Sequence, residues 1–199
     1  MEANDAAELM DQEKTTDRFK QRAAILISVL AMLLAITSLG GNNATKEAAT
    51  NNVLAANFYN FYQAKNMRQT AIMLSADQIE LAVLNDQSVP EDAKAALRKK
   101  VEDYRKTVAR YESEPETSEG KKELLAKAKE HETRRDRALR QDPYFDYAQA
   151  LLQIAIVLIS VSIISELGWL VAAGGVLGVA GALLMVNGFL LLVEVPFLE

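Results

Sequence analysis

Cysteine is absent from this chain of 199 residues, histidine occurs once and proline four times. Without cysteine there is no disulfide, no thiolate nucleophile and no thiolate ligand, although the compartment is not fixed by that absence. The one histidine, His131, stands between Glu130 and Glu132 in a highly charged stretch, so a solvated helix face is expected there rather than a metal ligand. No Glu-x-x-His pair exists for a di-metal bundle. Gly120-Lys121-Lys122 lacks the upstream Gly and downstream Ser/Thr of a phosphate loop. No Gly-x-Ser-x-Gly elbow is present, and the carboxylates sit in paired surface arrays without an acid–base assignment. The expectation is a protein that is not an enzyme, with no catalytic residue, metal or cofactor.

Lysine and arginine are missing from Ala148 to the end, where Glu166, Glu194 and Glu199 are the only charges. Residues 1–22 hold four basic side chains against six acids, and residues 42–147 hold 18 of each sign. A nucleic-acid partner would call for a basic excess, which no segment has. Segregation of this kind fits a membrane protein with a polar insert.

The first apolar run, 23–41, is uncharged for 19 residues, close to the 20 or so that span a bilayer as a helix. Basic residues precede it, so a signal peptide is the competing reading. Ala35-Ile36-Thr37 is a poor cleavage site and the preceding region is long and acidic, which favours an uncleaved anchor. Gly41-Asn42-Asn43 is expected to end this helix, with Asn43 or Thr45 capping the next. Two more spans are expected, 148–166 after the aromatic belt Tyr144, Phe145 and Tyr147, and 169–195 after Trp169. Asp142-Pro143 should cap and open the second span's helix. Within the polar tail 1–22, residues 1–17 are expected to be mobile.

The intervening region, 42–147, reads as helical and coiled-coil-like. A first long helix carries Phe58 and Phe61 in an approximate heptad that Lys65 and Ser75 interrupt. Ser88-Val89-Pro90 should start a second, whose Leu97, Val101, Tyr104, Val108 and Tyr111 step by four and three as an a/d seam. A third, capped by Thr117 or Ser118, should run to about Arg140.

Contacts within lipid are expected from two small-residue stripes. Ala24, Ser28, Ala31 and Ala35 share one face of the first span. Gly174, Gly178, Gly181 and Gly188, with Met185, share one face of the third, and such residues let helix backbones approach closely. Gln149, Gln153, Asn187 and Glu194 are the polar groups at membrane depth, suspects for function with interhelical hydrogen bonding as the plainer role. The charges conflict on sidedness. Those before the first span place the N-terminus in the cytoplasm, and Arg134, Arg135, Arg137 and Arg140 argue the reverse.

Phe19-Lys20-Gln21-Arg22, Ala35 through Asn42, Phe61-Tyr62-Gln63-Ala64-Lys65-Asn66-Met67-Arg68-Gln69-Thr70 and Pro143-Tyr144-Phe145 resemble an uncharacterised bacterial membrane-protein family, domain of unknown function 4337. The resemblance covers most of the chain and implies a multi-pass inner-membrane protein with three membrane helices around a helical insert. It implies no activity and no functional residue. The expected role is a membrane-anchored scaffold or accessory subunit, as a homo-oligomer or part of a complex, with the lipid bilayer as its medium. A small transporter or channel component, or a signal-relay protein with the insert as sensor, is the alternative.

Overall fold

A computed structural model describes residues 2–85 and 89–196, with side chains from residue 17 onward except at 84 and 85. Four helices follow one another: α1 (Glu2–Asn85), α2 (Glu91–Glu112), α3 (Lys121–Ser165) and α4 (Gly168–Leu190), with no strand among the described residues. The chain divides into two compact units, one from residues 1–48 and 136–199 and the other from 49–135. Three helices contain stretches long and apolar enough to cross a membrane, within Asp17–Val83, Lys121–Ser165 and Gly168–Leu190.

Two expected breaks are absent. α1 passes through Gly40, Gly41, Asn42 and Asn43 without interruption, and its backbone is helical from Glu2 through the tail expected to be mobile. The glycines serve close packing instead. A Cβ on Gly40 would lie 2.6 Å from the Phe145 ring and 2.9 Å from that of Phe189, and one on Gly41 would lie 3.2 Å from Phe145 Cβ. Asp142-Pro143 likewise opens no helix, because Pro143 sits inside α3. The third helix of the insert and the second apolar span are therefore one element. α3 begins at Lys121, so Thr117 and Ser118 do not cap it directly. α4 stops at Leu190 rather than near 195. α2 starts at Glu91 after Pro90, with Glu91 and Asp92 in its first turn, and Ser88 lies outside the described residues.

In the first unit α3 runs antiparallel to α1 and α4 runs parallel to it. Lys20 meets Glu166 at 3.4 Å, Leu30 lies against Gly178, and Gly40 meets Phe145 and Phe189. The buried cluster is Ala23, Leu30, Leu152, Ala155 and Ile159. Thr37 and Ser162 are fully buried too, each donating its hydroxyl to a carbonyl of its own helix, Leu33 at 2.7 Å and Ile159 at 2.8 Å. Outward positions remain apolar, with Ile25, Met32, Leu39, Val157, Val179 and Leu183 all exposed. A unit apolar both inside and outside has the pattern of helices that lipid surrounds.

In the second unit α2 lies antiparallel to the last turns of α1, with Arg105 paired to Glu80 at 2.7 Å. α3 then lies antiparallel to the earlier part, with Lys121 beside Gln69 and His131 beside Asn51. Val101 is buried in α2, and Leu97, Tyr104, Val108 and Tyr111 are half-buried on the same side.

Candidate functional site

Every seventh residue of α1 from Ala23 to Ile79 is buried or half-buried: Ala23, Leu30, Thr37, Ala44, Asn51, Phe58, Lys65, Ile72 and Ile79. From Asn51 onward this seam also takes in the polar Asn51 and Lys65. Asn51 Oδ1 is 2.8 Å from His131 Nδ1, and the imidazole stacks on Phe58 at 5.5 Å between centroids. His131 is thus a packed seam residue and not part of a solvated face. Tyr59 donates to Glu132 at 2.9 Å, and this bond holds the phenol above its ordinary value of 10.0.

The densest polar cluster lies where α2 ends and α3 begins. Lys65 does not interrupt the seam but belongs to it, pairing with Glu114 at 3.7 Å and donating to the Glu119 carbonyl. Gln69 is buried. It donates to the Val108 carbonyl at 3.0 Å and to Glu112 at 3.2 Å, and accepts from Lys121 at 2.8 Å. The Gln69 hydrogen bond, then that of Lys121, draws the Glu112 carboxyl below 4.5. Glu123 accepts from the Ser113 hydroxyl at 2.6 Å and the Glu114 amide at 3.1 Å, and is lowered for that reason, the Ser113 bond first. A Cβ on Gly120 would collide with the Glu123 carboxylate and the backbone of Ser113 and Glu114. These groups satisfy one another and form a structural clasp. Among the described residues no three His, Asp or Glu side chains converge as a metal site.

The glycine stripe faces neighbours within the chain. A Cβ on Gly174 would stand 2.6 Å from Ile159 Cγ1, on Gly181 3.0 Å from Leu152, on Gly188 3.0 Å from Phe145, and on Gly178 2.6 Å from Leu30. Ala24, Ser28, Ala31 and Ala35 lie instead on the exposed side of α1. Phe58 is half-buried but Phe61 is 62 % exposed. The seam Leu97–Tyr111 is turned toward α1, leaving little of it for another molecule.

The polar groups of the apolar stretches do not converge. Gln153 is exposed and Gln149 is half-buried beside Gly41. Asn187 closes α4. Its amide donates to the Val193 carbonyl at 2.8 Å and its oxygen accepts from the Val193 amide at 2.9 Å. Leu191 adopts the left-handed conformation at φ 50°, turning the chain back. Tyr144 pins the returning segment, donating to the Val193 carbonyl at 3.2 Å and accepting from the Val195 amide at 3.0 Å. A pocket of about 460 Å³ results, with Leu139, Arg140, Pro143, Tyr144, Leu191, Val193 and Glu194 in its walls. Among the described residues of its walls the charged ones are Arg140 and Glu194.

Asn51, Lys65, Gln69 and Tyr144 were not singled out as site residues by sequence patterning. Extending the Ala23–Leu30–Thr37 register by sevens finds the first two, whereas nothing local marks Tyr144 as an anchor for residues fifty positions away. No curated protein and no solved structure is significantly similar to the chain. One family model, described as a domain of unknown function (DUF4337), matches residues 19–191, which takes in most of α1 and all of α2, α3 and α4, and the chain belongs to that family.

Proposed function

We propose that this protein is a membrane-anchored assembly protein without catalytic activity, held by three membrane helices and self-associating through the outer face of α1. The membrane assigned is the bacterial inner membrane, with the N-terminus cytoplasmic. One observation carries the reading. On the side of α1 opposite the seam just described, Met67, Ala71, Leu74, Gln78 and Leu81 repeat the four-three spacing, and Met67, Leu74 and Leu81 are 71 %, 58 % and 59 % exposed. This stripe lies well beyond the apolar run 23–41, in the unit rich in charge, so lipid does not account for it. Exposed apolar rows mark interaction surfaces, and a heptad row fits another helix. Leucine at successive d positions with Asn57 and Gln78 at a positions suits a parallel pair of identical helices, as copies anchored in one membrane require.

The absence of native cysteine makes the test clean. Ala71→Cys in the full chain should give a disulfide-linked dimer on mild oxidation in isolated membranes. Ala95→Cys on the exposed side of α2 should not. Adding Leu74→Lys to Ala71→Cys should suppress the dimer. Equal cross-linking at positions 71 and 95, or none at 71, overturns self-assembly through this face.

A further inference from the structure

The pocket in the first unit contains a pair of opposite charges that do not meet. Arg140 and Glu194 both line it, yet among the described residues neither enters an ion pair within 4.0 Å. Leu139, Leu191 and Val193 supply apolar walls. Pro143 adds a further polar demand. It has no amide hydrogen for the carbonyl of Leu139, the acceptor four residues earlier in α3. The pocket is also deliberately shaped. A left-handed leucine is disfavoured by roughly 1–2 kcal/mol, and here Asn187 and Tyr144 hold the segment that follows it with four hydrogen bonds to Val193 and Val195.

We propose that this pocket binds the headgroup of a zwitterionic aminophospholipid, of the phosphatidylethanolamine class. The phosphate takes the Arg140 guanidinium, which suits its geometry. The primary ammonium, two carbons away, takes the Glu194 carboxylate and gives a donor to the Leu139 carbonyl. The glycerol and upper acyl chain lie on Leu139, Leu191 and Val193 and leave past Leu190 and Leu192, which are exposed. Location agrees with chemistry. The pocket sits where α4 ends and just before the uncharged stretch of α3, at the headgroup level of the bilayer. This placement rests on the membrane reading above, though not on self-assembly. A choline headgroup offers no N–H donor and an anionic glycerol headgroup offers no cation, so the pocket discriminates among phospholipids. A free phosphoethanolamine carries the same charges but forfeits the apolar contacts.

The purified full chain in mild detergent is titrated with dioctanoyl phosphatidylethanolamine, its choline and glycerol counterparts, and free phosphoethanolamine, with the thermal unfolding midpoint as readout. The ethanolamine lipid is expected to stabilise saturably at a concentration about tenfold below the other two lipids, the scale of one charge-assisted hydrogen bond. Free phosphoethanolamine should have no effect in that range. Glu194→Gln should abolish the preference for ethanolamine over choline, and Arg140→Gln should weaken all three lipids about tenfold. Both side chains are exposed, so the lipid-free midpoints should stay at the parental value. Equal response to the three lipids, an equal response to free phosphoethanolamine, or unaltered selectivity in Glu194→Gln overturns the proposal. Should the chain remain in the supernatant after ultracentrifugation without detergent, the membrane reading itself fails, which is a separate result.

Discussion

Three glycines of α4, Gly174, Gly175 and Gly178, differ in what stands opposite them, and the difference sets the cost of adding a methyl group. Opposite Gly174 stand Ile159 Cγ1 at 2.6 Å and the Ala155 carbonyl at 2.9 Å, and a helix backbone cannot step aside. Gly178 faces the terminal methyl of Leu30 at 2.6 Å, the end of a side chain that can swing. Gly175 has nothing within 4 Å. Overpacking a tight site costs about 1–3 kcal/mol. Gly174→Ala is therefore expected to lower the unfolding midpoint in mild detergent most, Gly178→Ala less, and Gly175→Ala not at all. A different order would mean that α4 packs on α3 and α1 through another face. The same logic applies at Gly40, where aromatic rings from α3 and α4 occupy the space a Cβ would take.

A helix that continues and a helix that stops can use the same residues, and α1 is the case in point. Glycine and asparagine favour helix ends because they tolerate the left-handed conformation. Gly40 and Gly41 remain right-handed here because Phe145 requires the room, and that requirement comes from a residue about a hundred positions away. Pro143 similarly reads as a first-turn proline, whereas packing on both sides carries α3 through it. Asn43 separates the two readings by sign. In the interior of a helix, where it is exposed, Asn43→Ala should raise stability by about 0.5 kcal/mol, measured by chemical unfolding. As an N-cap, the same change would lower it by about 1 kcal/mol. The apolar lengths, the all-helical class and the α2 seam were legible because they depend on local composition and period. The contacts that merge six expected helices into four were not, because they depend on which ring meets which glycine. The pocket was hidden for a like reason. The turn at Leu191 carries no glycine, and its supports lie on α3 and within α4.

Charge is distributed so that the two units should answer acid differently. The second unit holds its α2–α3 junction with ionised carboxylates, Glu112 on Gln69 and Lys121, and Glu123 on Ser113 and the Glu114 amide. The buried cluster of the first unit contains none. A carboxyl whose pKa is lower in the folded than in the unfolded chain stabilises fully above the unfolded value, and that contribution disappears as pH falls through the folded value. Both glutamates are lowered from 4.5, so their stabilisation is complete at neutral pH and is lost as pH falls below 4.5 and through their lowered folded values. Backbone amides of α2 and of α3 between Lys121 and Arg135 should then exchange with solvent faster. Those around Leu152–Ile159 and Gly174–Gly188 should keep their protection. Glu112→Gln and Glu123→Gln should each weaken the junction at pH 7 and flatten its acid response, since neither can lose a charge it no longer has. Hydrogen exchange on the full chain in detergent at stepwise lower pH measures all of this in one experiment. Simultaneous loss of protection in both units would show that the junction carboxylates do not set the acid stability of the second.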